Sequence, residues 1–292
     1  MVSKWFLAAV LVAAATAEVR AADDTVVEGV NMPAWVKRGT ARQPLAVGAR
    51  LQPADEVTTA AGARVYLRLG DGSAVKLGEN TRFVVAAAGR APEDAGLFRA
   101  SLQVLSGAFR FTTSALAKAR IRRDVRVELP TVTAGIRGTD LWGKADADRE
   151  FVVLIEGRIG VQRGNAPEVL MEQPLSVFNA PKDMATPPLG TVTMTELGEY
   201  AAETEIAAGT GAARFGGKWK VVVGRFGDQG GALALYDRLQ AAGYPASIRP
   251  VTVAETTTYQ VRIAGLPSRA EALSLARRLQ IEFELAEPDV SL

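Results

Sequence analysis

The side chains of this chain that can do chemistry are carboxylates, arginines and aromatic rings, because its 292 residues include no histidine and no cysteine. Those absences exclude a Ser-His-Asp triad, a Cys-His pair, a thiolate or imidazole zinc site and a disulfide framework. Asp146, Asp148 and Glu150 lie close together. Paired carboxylates are what glycoside hydrolysis needs, but between two strand-like runs these three read as solvated turn residues. Residues 211–218 look superficially like a phosphate loop. Their spacing is one residue too long, and Trp219 stands where a hydroxyl would hold magnesium, so the stretch reads as a glycine-rich linker. Arg137 reads as a brace that holds a neighbouring loop through paired bonds to a carboxylate or to carbonyl oxygens. No acid-base pair survives, so no enzymatic activity, metal or cofactor is expected. Tyr259, Gln260 and Arg262 remain, and they bring a ring, an amide and a guanidinium into one strand-like run.

That run belongs to a segment that occurs twice at a constant offset of 40 positions. Val221, Val223 and Phe226 recur as Val261, Ile263 and Leu266, while Ala232, Leu233, Leu235, Arg238 and Leu239 recur as Ala272, Leu273, Leu275, Arg278 and Leu279. Each copy alternates apolar residues at period two and then changes to the i, i+3, i+7 spacing of an amphipathic helix. Asp228 and Ser268 stand where each helix needs an N-cap, with Ser268 and Glu271 spaced as a capping box. Gly243 is placed to close the first helix in a left-handed conformation. Further strands are expected near 246–251 and 284–290. The resulting plan is β-α-β-β-α-β, that of a ferredoxin-like domain, over residues 218–292. Period two directs Val261 and Ile263 to the helices and Gln260 and Arg262 to the opposite face. In the first strand, Val222 is expected on that open face with Lys220, and Arg225 at the strand end.

The N-terminus reads differently. Residues 1–21 combine Lys4, an apolar run from Trp5 to Ala15 and small residues at cleavage positions before Glu18 or Ala22, the pattern of a secretory signal peptide. The run is too short for a bilayer span, and no later segment is long enough. Residues 22–182 carry many short strand-like runs, among them 64–69, 74–77, 82–85, 97–105, 108–112, 125–129, 151–155 and 158–162. They predict an all-β sandwich or barrel-like domain. Residues 114–123, rich in Ala, Lys and Arg, read as a basic loop or short helical turn. Residues 183–217 read as a linker with an acidic helix around Met194, Leu197, Tyr200, Ala201 and Ile206, weakened by Gly198 and able to dock on either half. Lys plus Arg number 34 against 32 Asp plus Glu, a net charge of +2. Nucleic acid is therefore not an expected partner.

Val36 to Gly39, the turn Asp71-Gly72-Ser73, the segment Thr131-Val132-Thr133-Ala134-Gly135-Ile136-Arg137-Gly138-Thr139-Asp140 and Glu156-Gly157-Arg158 resemble the FecR family domain. In the best-known members this is the periplasmic part of a transmembrane anti-sigma regulator. This chain lacks the sigma-binding region and the span before the domain, so the resemblance implies a freestanding periplasmic β domain that senses or binds an envelope protein.

The C-terminal repeat resembles the SPOR domain through Val221-Val222-Val223-Gly224-Arg225-Phe226, Gly243-Tyr244-Pro245-Ala246, Tyr259-Gln260-Val261-Arg262-Ile263 and Ser268-Arg269-Ala270-Glu271-Ala272. The resemblance implies a βαββαβ module that binds peptidoglycan glycan strands lacking stem peptides. Gln260, Arg262, Val222, Lys220 and Arg225 are the glycan-binding candidates. The family commonly has a glutamine at the position of Val222, an arginine at that of Gln260, and Gly-Pro-Phe where this chain has Ala264, Gly265 and Leu266. A periplasmic interaction scaffold whose SPOR-like sheet no longer binds glycan is the alternative.

Overall fold

The computed structural model describes residues 25–114, 122–136 and 138–292. The signal-peptide expectation, most of the basic stretch 114–123 and Arg137 lie outside them. Among the described residues no helix is long and apolar enough to cross a membrane.

The N-terminal region is mostly β. Two sheets are built around one 19-residue strand, Asp94–Thr112, where the sequence suggests two separate strands. Its first half pairs with Arg82–Ala91 and, in parallel, with Arg122–Glu128. That sheet continues through Val132–Ile136, Ile159–Arg163 and Val169–Met171. Its second half pairs with Ala74–Leu77 and with Asp140–Ala145, and Arg149–Glu156 and Ser176–Pro181 extend the second sheet. The strand changes sheets at Gly107, whose φ of +91° favours glycine. A Cβ there would collide with Thr81. Alternation drives the packing: Val65 and Leu67, Val125 and Val127, and Val132, Ala134 and Ile136 are buried, with less buried residues between them.

The C-terminal region is a four-stranded sheet with two helices. In chain order it runs Trp219–Phe226, α2 (Gln229–Ala241), Ser247–Val253, Thr256–Leu266, α3 (Arg269–Phe283) and Asp289–Ser291. The sheet order is Ser247–Val253, Thr256–Leu266, Trp219–Phe226, Asp289–Ser291, each neighbouring pair antiparallel. Ala232, Leu235 and Leu239 of α2 and Ala272, Leu275 and Leu279 of α3 pack in one cluster with Val221, Val223, Val261 and Ile263. Asp228 and Ser268 cap the helices as expected, accepting from Gly231 N at 2.9 Å and Glu271 N at 3.2 Å. Gly243, with φ of +86°, follows the C-cap of α2.

Residues 183–217 are packed rather than extended. The acidic helix forms as α1 (Met194–Thr204), opened by a complete capping box between Thr193 and Glu196. It lies on the β region, where Tyr200 stacks on the buried Trp142 with centroids 4.8 Å apart. Lys144 meets Glu203 at 2.8 Å, and Glu205, just past the helix, takes bonds from Tyr66 and Lys76. The glycine-rich stretch then forms a strap, with Ala213–Arg214 pairing on Thr25–Asn31. The capping box expected at Ser268 is only half made, because the Glu271 carboxylate turns instead to the strap. It accepts from Gly209 N and Gly211 N at 2.6 Å and from Ala212 N at 3.2 Å. Three converging N–H donors outcompete the single one at the cap. Further contacts join the two regions directly: Arg278 Nη1 donates to Asn31 Oδ1 at 3.2 Å, and Ala34 N to Gly243 O at 3.4 Å.

Candidate functional site

The helices cover one face of the C-terminal sheet, and strand register defines what the other face presents. Side chains directly opposite each other on paired strands share a face. One row across the sheet therefore holds Arg249, Gln260 and Arg225. The next holds Ser247, Arg262, Val222 and Asp289. A third holds Ala264, Lys220 and Ser291. Successive rows are about 7 Å apart, two residues of strand rise.

Simple alternation would put Arg225 and Val222 on opposite faces. The register shifts between Val222 and Gly224, and this bulge brings Arg225 opposite Gln260. All five sequence candidates, Lys220, Val222, Arg225, Gln260 and Arg262, therefore share the outer face. Val222 departs from expectation in one respect: it is 3% exposed. Its row neighbours Arg262 and Asp289 flank it, and long polar side chains lying beside a short apolar one remove it from water. Val222 is a floor of this face, and the Arg262 Nε beside it is likewise buried, with no hydrogen-bond partner.

The rows carry four cations, Lys220, Arg225, Arg249 and Arg262, against the carboxylate of Asp289. Arg225 Nη2 meets Asp289 Oδ2 at 2.6 Å, with both side chains about half exposed. The Arg225 hydrogen bond holds the Asp289 carboxyl below its ordinary range. Lys220 Nζ donates to the Leu292 oxygen. Tyr259 faces the helices, its hydroxyl 3.1 Å from Gln229 Nε2, so the ring is not on this face. Sequence reading missed Arg249, Ser247 and Asp289. The first two are placed by the tight turn at Ala254 and Glu255, whose φ angles of +46° and +67° set the pairing Val253 to Thr256, and Asp289 by the pairing of the last strand with Trp219–Phe226.

In the β region three buried carboxylates are closed by arginines. Asp55, 1% exposed, accepts from Arg38 Nε and Nη2 at 2.9 and 2.6 Å. Asp140 takes the same paired bonds from Arg110 at 3.0 and 2.7 Å. Asp71 accepts from Ser73 N, Ser73 Oγ and Arg123 Nε, and the Asp71 and Arg123 side chains are 0% and 5% exposed. Thr139 donates its hydroxyl to Arg158 O at 2.9 Å and its N–H to Thr113 Oγ1 at 3.0 Å. Of the acidic trio, Asp146 does cap its own turn through Asp148 N and Arg149 N. Glu150, expected in solvent, is fully buried and accepts from Thr131 N and Val132 N. It lies in the strand Arg149–Glu156, where the inward face takes it into the core. Among the described residues no group of acidic side chains is arranged to hold a metal ion. A concavity of the β region, about 670 Å³, crosses Gly135 and Gly160, which oppose each other in register, and is rimmed by Arg126, Arg158 and Gln162.

Residues 55–160 match the family model "FecR protein", and residues 216–285 match the model "SPOR domain", in the order expected from the sequence. Both models describe non-catalytic binding or regulatory domains. Two crystal structures of a "putative anti-sigma factor" from Parabacteroides distasonis ATCC 8503 are similar to the chain at 13% and 12% identity. They cover 78% of this chain and 92% and 91% of theirs, each with a TM-score of 0.40. Comparison with curated proteins found no match.

Proposed function

We propose that this chain is an exported, non-enzymatic protein of the cell envelope that binds peptidoglycan through its SPOR unit. The ligand in this reading is the bare glycan strand, gripped by Lys220, Arg225, Arg249, Gln260 and Arg262 above the Val222 floor. The observation that carries it is the register, which gathers these donors into adjacent rows on the face without helices. A sugar polymer offers hydroxyl, amide and carboxylate oxygens, and guanidinium and amide groups are the side chains that reach several of them at once. The strand order of residues 218–292 supports a ferredoxin-like plan. The FecR-like part, residues 22–182, would serve protein interaction or sensing, with the cleft over Gly135 and Gly160 as its concave surface. The leader pattern of residues 1–21 supports export to the periplasm.

The test is retention on sacculi with and without amidase treatment, which strips stem peptides and exposes bare glycan. Retention should rise after treatment, and replacing Gln260 and Arg262 by alanine should lower it about two- to tenfold without unfolding, the worth of one or two hydrogen bonds. Retention indifferent to amidase would reject the glycan reading and favour the interaction scaffold, for which the Asp289 cover on Arg225 is the supporting observation.

A further inference from the structure

The outer sheet face has donors in every row but no aromatic ring, since Tyr259 faces the helices. The same strands end, one row past Lys220, in a cleft of about 300 Å³ lined by Phe215, Gly216, Gly217, Lys218, Trp219, Pro267 and Leu292. Lys220 ties this cleft to the polar rows, because its ammonium donates to the Leu292 oxygen and its strand neighbour is Ser291.

Phe215 is 62% exposed yet firmly seated. Its ring lies over Gly48, where a Cβ would stand 3.2 and 3.3 Å from two ring carbons. Gly48 has φ of +80°, so a side chain there is disfavoured on two counts. The Phe215 N–H donates to Glu28 O at 2.9 Å, and the turn after it closes through Gly217 N to Arg214 O at 2.9 Å. Gly217 itself lies so close to Gly265 and Leu266 that any Cβ would collide with their backbone. The loop is thus fixed on both halves of the molecule, and one face of the ring remains open to water. Exposing an ordered aromatic ring loses the stabilisation its burial would give, and rings held this way are typical of binding surfaces.

We infer that Phe215, with Trp219 and Pro267 beside it, is a stacking subsite for a pyranose ring of the glycan strand, contiguous with the polar rows and formed only where the SPOR unit meets the β region. This inference rests on the glycan reading above. The C–H face of a pyranose packs on an aromatic plane, and Lys218 at the rim supplies a cation for an oxygen of the same sugar. The strand would then cross the rows and end, or turn, over Phe215.

The experiment is cosedimentation of the full chain and single variants with amidase-treated sacculi. Phe215→Ala should weaken binding up to about tenfold, the worth of one aromatic contact, and Phe215→Tyr should restore it, while Phe215→Leu should not. Loss with Gln260→Ala and Arg262→Ala but full retention with Phe215→Ala would overturn the subsite and leave the glycan reading standing. Equal binding by the Leu and Tyr variants would also overturn it, because apolar bulk alone would then suffice. Failure of the unaltered chain to bind treated sacculi would remove both.

Discussion

Three arginines of the β region and two of the C-terminal sheet do opposite things in this molecule. In the β region Arg38, Arg110 and Arg123 close on Asp55, Asp140 and Asp71, carboxylates no more than 12% exposed. In the C-terminal sheet Arg225 meets a half-exposed Asp289, and Arg249 is exposed. The residue type is the same, and burial of the partner decides the role. A guanidinium matched to a buried carboxylate is a brace, since withdrawing it leaves that carboxylate buried without its partner. One standing on an open sheet face with few carboxylates near it keeps its donors available to a ligand. Arg38, Arg110 and Arg123 therefore serve architecture, whereas Arg225 and Arg249 stand on an open face.

The largest effect that would break this contrast is at Asp71. Asp71→Ala leaves Arg123 buried without its partner and removes the acceptor that holds Ser73. It should cost about 3–5 kcal/mol, the usual penalty for breaking a buried pair from one side, read as a lower midpoint in urea denaturation. A loss within about 1 kcal/mol, the ceiling for an exposed pair, would mean that the braces of the β region are no different from surface pairs.

Acid should test the brace on Asp55 next. Burial pushes the Asp55 carboxyl up, but the Arg38 bonds and the Gln52 N–H outweigh it and hold the group below its ordinary range. Glu205 behaves alike: burial raises it, and the Lys76 and Tyr66 bonds bring it below ordinary values. A carboxyl depressed in the folded state contributes stability that is complete above its unfolded value, about 4, and is lost as pH falls through the folded value. Denaturation midpoints should thus hold near neutrality and drop below about pH 4. Asp55→Asn should lower stability at pH 7 and flatten the acid drop; a variant with the same acid slope as the unaltered chain would sink this attribution.

The repeat made the helices, their caps and the helix-facing core of the C-terminal unit legible, since period and punctuation are local. The face was only half legible. Alternation assigned Gln260, Arg262 and Lys220, but the bulge after Val222 and the Ala254-Glu255 turn leave no residue signature such as Asn-Gly. Arg225 and Arg249 take their places in the site through those two irregularities. In the β region, Glu150 is not legible as a core residue, because a carboxylate beside Asp146 and Asp148 looks like part of a turn until the strand that buries it is known. In the sequence the strap reads as a linker because glycines signal flexibility in isolation. Here Gly209 and Gly211 offer their N–H groups to Glu271, a partner about sixty residues away in the chain, and no local pattern encodes that meeting.

The smallest expected effect is the one that best sharpens the contrast. Asp289→Ala removes the carboxylate from Arg225, the same chemical cut as Asp71→Ala. On an exposed pair it should change stability by no more than about 0.5 kcal/mol, because water takes over the solvation of both groups. Its consequence should appear in binding: Arg225 gains free donors, the row it shares with Gln260 and Arg249 becomes more cationic, and retention on amidase-treated sacculi should rise modestly. A fall in retention with unchanged stability would place Asp289 itself among the ligand's contacts, as an acceptor for sugar hydroxyls, and the face would then be a mixed donor and acceptor surface. A marked loss of stability would show that the outer face is braced like the β region, and the division of labour between the two sets of arginines would not hold.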